Sequence, residues 1–488
     1  MPAVEEYGIE PIPAALRTAG WRDLFAVNFT FFLNPVMYVL GALAVLEGGL
    51  PLPWAIAAMV LGQALAFAAL VVVARPGVDD GLPGQVAMRA TFGVLGARLL
   101  TSPYRVVAAT YWFAAQALTG ALGVQAIVEA MAGKRVPLVP TALALAVLYA
   151  VLAVLGFDVM RWLLKVVLPL SLLAALVLVG LFVGADDPRY AFRRVLDSPE
   201  QQLTWVGFAT FVTVMCGSSL TFVTNVADVC RYTPTRRDMQ LGLTASALVA
   251  AGATTFVGGY VAAASGDTNP FVAAARLTTS DLVLAALLAA IVVQTLAANL
   301  TNVYTAGLSL VNAVPRLGRV YATVLAGAAA VALSGFPSFI EEAQEWVTHL
   351  GNVAAPLTGV VLADLLGRQR GRIEVTALFD ARGRYRYWRG VNAAAVVATA
   401  GGVALYYALP DGSVKVVWGV AAGAAAYLAL RRPEPELTRP EHKLYTPPIP
   451  APDTTPVRRR PRSGAVPGGA WTRHRPRPGG EGKEHADE

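Results

Sequence analysis

About twelve apolar blocks, most of them near twenty residues long and almost free of charge, leave this chain few ways to fold. About 20 apolar residues in a helix rise ~30 Å, the thickness of a bilayer's hydrocarbon core. The expectation is an all-α integral membrane protein with spans near 23–47, 54–74, 101–131, 138–156, 160–184, 203–228, 239–264, 281–311, 319–335, 343–366, 390–409 and 413–430. Soluble domains carry roughly a quarter of their residues as Asp, Glu, Lys or Arg. Here the charged fraction is 15%, the hydrophobic fraction 56% and the mean hydropathy +0.54.

Cys216 and Cys230 lie fourteen residues apart in one apolar stretch. On a helix that is ~21 Å, too far for a disulfide, and two cysteines supply neither a disulfide framework nor a zinc cluster. Histidine is scarce, with His349 near the end of the spans and the others in the tail. The net charge of +7 is spread over short connections and a basic tail. That pattern suits a membrane surface and lipid as neighbours rather than nucleic acid.

Residues 1–20 are polar and lack the apolar core and small-residue cleavage site of a signal peptide, so the first apolar block is expected to stay in the mature protein. They read as a cytoplasmic N-terminal segment, followed by a transmembrane domain over 21–431. Residues 432–488, rich in Pro, Gly and Arg, read as a disordered basic cytoplasmic tail. Its Arg458–Arg460 run either touches anionic lipid or is a solvated topogenic tail. Basic residues collect in alternate connections: Arg17 and Arg22, then Arg75, Arg89, Arg98 and Arg105, then Arg161 and Lys165, then Arg231, Arg236 and Arg237, then Arg316 and Arg319, then 368–389. The positive-inside rule places both termini in the cytoplasm of a cell with a plasma or inner membrane.

Two spans contain interruptions. Asn34 and Pro35 break the first, since proline removes a backbone donor and clashes with the preceding turn. Gly217, Ser218 and Ser219 loosen the sixth, five spans later. Broken helices at corresponding places in two halves are the mark of an inverted-repeat transporter with a midplane site. Taken singly, each also suits a proline kink or a small-residue packing face.

Side chains fit for such a site lie on other spans. Trp112 and Gln116 are four residues apart, hence on one helix face. An indole plate beside an amide suits a flat heterocycle with a paired N–H and C=O edge, although both also suit ordinary helix packing. The eighth span carries Asn299 and Asn302, two amides that are costly in a bilayer unless paired. Asp228, Asp364 and Glu129 fall near span ends, so a neutral substrate fits better than an ion, and Asp228 with Arg231 reads as a structural ion pair. Asp79 and Asp80, in a Gly/Pro loop, read as turn chemistry rather than an enzyme centre. No P-loop or second acidic cluster accompanies them, and the chain is expected to be no enzyme.

The order of several short motifs resembles a known family. Gly20-Trp21-Arg22-Asp23-Leu24-Phe25 precedes the first span, and Gly81-Leu82-Pro83 with Arg89, Phe92, Gly93 and Gly96 follows the second. Then come Trp112-Phe113 with Gln116, Asn225 with Asp228, Arg231 and Tyr232, the run from Tyr304 to Asn312 before Pro315, Ala363-Asp364, Gly383-Arg384-Tyr385 and Gly390-Val391-Asn392. From about Gly20 to Arg431 the chain resembles the nucleobase-cation symport family of cytosine, purine, allantoin, hydantoin and hydroxymethylpyrimidine permeases. The resemblance implies a five-plus-five inverted repeat with broken helices 1 and 6, two extra C-terminal helices, and cation-coupled import of a small heterocycle by alternating access. It implies no cofactor beyond the coupling cation, Na+ or H+.

Carried over by position, the resemblance has Trp112 stacking on the substrate and Gln116 bonding its edge. Gly217, Ser218 and Thr221 line the broken sixth helix, while Asn299, Asn302 or Thr301 completes the polar frame. Ser219 stands where relatives that sandwich the ring use a bulky aromatic, which implies stacking on one side unless Phe222, one turn on, substitutes. For the cation, Leu33 and Val36 offer carbonyls and Thr295 a hydroxyl, but Ala297 and Ala298 occupy the place of a hydroxyl pair. An amino-acid permease of similar architecture, holding a carboxylate at the broken-helix ends, is the alternative.

Overall fold

The computed structural model describes residues 9–154, 157–197, 200–369, 371–380 and 383–431, the backbone alone over 157–166. All of them belong to one compact unit, Met1–Leu437; the tail read above as disordered lies outside the described residues. Seven helices are long and apolar enough to cross a bilayer, and the bent pair Trp21–Phe32 and Pro35–Leu46 adds an eighth. Four shorter apolar stretches, Leu138–Val154, Val167–Val183, Ala393–Ala408 and Lys415–Leu430, bring the described residues to the twelve spans expected.

Proline cannot continue a helix from the turn before it, and the first span bends by 60° at Asn34 and Pro35. The sixth span differs from the sequence reading. Gly217, Ser218 and Ser219 are helical within Trp205–Leu220, and the interruption comes later, as a 3₁₀ turn at Thr221–Thr224 and Asn225 at φ −140°, ψ 0°. The reason is local: the Thr221 hydroxyl bonds the Ser218 carbonyl at 2.6 Å, diverting the last turn of the helix. Glycine at 217 serves packing instead, since a Cβ there would lie 3.2 Å from the Gly351 Cα of the tenth span.

A repeat is visible in the connections. A short helix after span 2, Gly84–Phe92, has its counterpart five spans on in Pro270–Leu277 after span 7. Packing follows the same symmetry. Span 1 packs on span 7 (Arg236–Ser265), and span 2 (Leu52–Val73) on spans 6 and 7. Span 3 (Ser102–Ala132) packs on span 8 (Asp281–Ala313), with span 4 and span 9 (Gly318–Leu333) against both. One group is thus spans 1, 2, 6 and 7, and the other spans 3, 4, 8 and 9. Span 10 (Ala343–Ala363) lies against span 6 and the C-terminal span 12.

The first group is held by close backbone contact, the usual device where lipid and side chains are equally apolar. A Cβ on Gly258 would lie 1.9 Å from the Tyr38 carbonyl oxygen, and one on Gly41 would lie 2.6 Å from the Thr255 Cα. Polar ties close the loop side. Asp79 holds Arg236 through two bonds of 2.6–2.7 Å, and Asp228 accepts the Gly84 N–H at 2.7 Å. Asp79 is therefore a joint between the span 2 loop and span 7. Because the atom facing Gly258 is backbone, Gly258→Val is expected to destabilise the protein by about 1–3 kcal/mol. The check is a lower thermal midpoint of the purified protein, while Gly401→Val, with no atom within 4 Å of the added Cβ, leaves it unchanged.

Candidate functional site

A buried break in a membrane helix strands backbone groups. At the break in span 1 one side chain satisfies two of them: Asn34 Oδ1 accepts the Met37 N–H at 3.1 Å, and Asn34 Nδ2 donates to the Phe31 carbonyl at 2.6 Å. Gln116 of span 3 then donates through Nε2 to Asn34 Oδ1 at 2.6 Å. This bond joins the two groups of spans.

Around it lies a small pocket. Span 1 contributes Phe31, Phe32, Asn34 and Met37, and span 6 contributes Ser218 and Phe222. Across the seam stand Trp112 and Gln116 of span 3 and Asn302 of span 8. Of the residues singled out by sequence, Trp112, Gln116, Ser218 and Asn302 therefore meet at one cavity. Thr221 adjoins it, accepting the Trp112 indole N–H at 3.3 Å, and Asn299 accepts from Asn302 at 3.4 Å.

Others stand elsewhere. Ser219 donates to Gln63 of span 2 at 2.6 Å, and Gly217 faces span 10. Thr301 bonds back to the Ala297 carbonyl. The span 6 aromatic in the lining is Phe222, which meets Phe31 edge-on at 4.9 Å and Phe32 at 5.6 Å between ring centroids. Phe222 lies four residues beyond Ser218, the spacing that sets two side chains on one face of a helix.

Leu33 and Val36 flank the break as expected, but Thr295 does not join them. Its hydroxyl lies 2.6 Å from the Tyr149 hydroxyl of span 4 and bonds the Ile291 carbonyl at 2.8 Å. A hard cation needs a shell of oxygens, and with alanine at 297 and 298 these residues do not fit one. The described residues contain no group of three or more His, Cys, Asp or Glu able to hold a metal.

The sequence model for permeases for cytosine/purines, uracil, thiamine and allantoin matches residues 11–431. The chain belongs to that family. A hydantoin permease of Microbacterium maritypicum is 23% identical over 426 residues, 82% of this chain and 84% of that one. An allantoin permease of Bacillus subtilis (strain 168) is 22% identical over 463 residues, 87% and 93% of the two chains. Among solved structures, Mhp1 in an inward-facing conformation superposes with a TM-score of 0.74 at 20% identity, covering 88% of this chain and 94% of its own. A closed Mhp1, described as a nucleobase-cation-symport-1 family transporter with bromovinylhydantoin bound, gives 0.70 over 88% and 95%. The fold is that of the inverted-repeat transporters, and the chain is a multi-pass membrane permease.

Arg105 went unrecognised at the sequence level, where it counts as a loop charge. In this permease it is fully buried, donating to the Thr305 hydroxyl at 2.6 and 3.2 Å and lying 5.6 Å from the Phe222 ring centroid. Its place two residues after Pro103, at the start of a long helix, was the available signal. Phe31, Phe32 and Met37 were also missed, being indistinguishable in sequence from lipid-facing residues.

Asn34→Ala strands the Phe31 carbonyl in a buried site, while the Met37 N–H keeps its 3.1 Å bond to the backbone carbonyl of residue 34. The expected loss is about 1–3 kcal/mol for the stranded group, read as a lower thermal midpoint in detergent.

Proposed function

We propose that this permease imports a nucleobase or related N-heterocycle of the hydantoin or allantoin kind, by cation symport and alternating access. The observation that carries this reading is the pocket in the seam between the two groups of spans, lined by the rings of Trp112, Phe31, Phe32 and Phe222 and by the Gln116 and Asn302 amides. A flat ring gains from aromatic neighbours, and its polar edge needs amide partners once desolvated. The names of the relatives point to the same ligand class. Closing the seam on one membrane side while opening it on the other is rocking of one helix group against the other around a fixed site.

The amino-acid reading loses support at the break itself. A carboxylate there needs free N–H groups at the start of Pro35–Leu46. Proline has none and the Met37 N–H is held by Asn34, which leaves the Val36 N–H as the first-turn donor without a partner among those residues. In this reading the basic connections face the cytoplasm of a plasma or inner membrane, both termini lie inside, and the chain performs transport rather than catalysis.

Uptake of radiolabelled hydantoin, allantoin and cytosine by cells expressing the protein tests the proposal. Trp112→Ala is expected to lower saturable uptake roughly tenfold or more, with equal protein in the membrane; unchanged uptake would refute the site. For the cation, the missing hydroxyls at Ala297 and Ala298 and the engagement of Thr295 favour H+ over Na+. Replacing Na+ by choline is expected to leave uptake intact while a protonophore collapses it, and the opposite pattern would assign Na+.

A further inference from the structure

After span 2 the chain passes from one group of spans to the other within three residues. The short helix Arg75–Asp80 belongs to the first group: a Cβ on Gly77 would lie 2.5 Å from the Ala227 carbonyl oxygen at the end of span 6. The helix Gly84–Phe92 is tied to the second. Gln85 accepts from the Thr101 and Ser102 hydroxyls at the start of span 3, at 2.8 and 3.1 Å, and Arg89 donates to Asn312 at the end of span 8. The far end of this helix meets Asp364 and Asn392, in the connection between spans 10 and 11, which belongs to neither group. Between the two short helices lies only Gly81-Leu82-Pro83, with Gly81 at φ +70°.

At this joint the second group reaches back to the first. The Gly84 N–H donates to Asp228 at 2.7 Å. A Cβ on Gly84 would lie 2.3 Å from the Thr224 carbonyl oxygen and 2.9 Å from the Asn225 Cα. The contact therefore falls on the interrupted part of span 6, between Phe222 of the pocket and the basic connection at Arg231, Arg236 and Arg237. The Thr224 hydroxyl and both ends of the Asn225 amide are buried with no partner among the described residues. Such groups cost free energy while the contact is shut and regain water when it opens. A carboxylate on the first N–H of a helix opposes that tendency.

The inverted counterpart lacks such a tie. The first free N–H of Pro270–Leu277, that of Phe271, is held by its own cap, Asn269, at 3.0 Å. That helix meets the first span through side chains, with the Phe271 and Tyr38 rings 6.3 Å apart.

From this we infer that Asp228 is the positioning residue of a latch: it holds the first turn of Gly84–Phe92 against the break in span 6 and keeps the seam shut on the face of the basic connections. Releasing the bond lets the two groups part there. The turn Thr221–Thr224 has Phe222 in the pocket and Thr224 at the latch, so both act on one four-residue element. The latch needs the two groups to rock, as proposed above, and not any one ligand.

Cysteine labelling reads the latch without a ligand. The reporter is Ser218→Cys in the pocket wall of the full-length chain carrying Cys216→Ala and Cys230→Ala, reacted with a membrane-impermeant maleimide in inside-out and right-side-out vesicles. Gly84→Ala and Asp228→Leu are each expected to speed labelling from the cytoplasmic face roughly tenfold, with labelling from the other face level or lower. Asp228→Asn, which keeps an oxygen for the Gly84 N–H, stays near the parent, as does Gly401→Ala, whose added Cβ meets no atom within 4 Å. Unchanged labelling in Gly84→Ala and Asp228→Leu overturns the latch. Equal acceleration from both faces also overturns it, since loosened packing has no sidedness. Where one variant does not reach the membrane, the other decides. Failure here leaves the proposed substrate standing, whereas absence of heterocycle uptake by the parent overturns the substrate and leaves the latch.

Discussion

Everything at the centre of this protein depends on one amide bridging a gap in a membrane helix. Hydrocarbon offers no partner to a stranded peptide group, so Pro35 would be prohibitive without the donor and acceptor that Asn34 carries on a single side chain. Phe31, Phe32, Asn34 and Met37 point to different sides of an unbroken helix at 100° per residue. The 60° bend gathers them onto one wall. The same amide engages Gln116, so the repair of the backbone and the construction of the site are one event.

The two groups of spans meet at that wall with different kinds of contact. Within the first group, backbone lies on backbone at Gly258 and Gly41, a packing that resists sliding. Across the seam the contacts at the pocket are side chain to side chain: Trp112 to Thr221, Gln116 to Asn34 and Arg105 to Phe222. Such contacts can be remade without disturbing either group, which is what a rocking mechanism needs. Arg105, buried beside Phe222 and bonded to Thr305, puts a charge directly behind the aromatic wall.

Much of the site was legible because it obeys local rules. Trp112 and Gln116 share a face by the spacing of a helix, Asn302 is a polar residue in an apolar span, and Asn34 precedes a proline where no proline belongs. Ser219 and Thr295 show the limit of the same rules. Each is a hydroxyl in the right span, yet one turns to Gln63 and the other to Tyr149, because a hydroxyl in a bilayer takes whichever partner its neighbours offer. Gly217 looked like a break and is a crossing point with Gly351.

The sequence by itself determined the membrane, the twelve spans, the break in the first of them and the aromatic and amide residues available to a site. These follow from hydropathy, the geometry of proline and helical spacing, which act within a few residues. Only the tertiary structure decided where the sixth span yields, that Phe222 rather than Ser219 lines the pocket with Trp112, and that Gln116 bonds Asn34 across the seam. Those depend on which side chains of other spans reach Asn34, Ser219 and Thr221, and such contacts join residues that no local pattern connects.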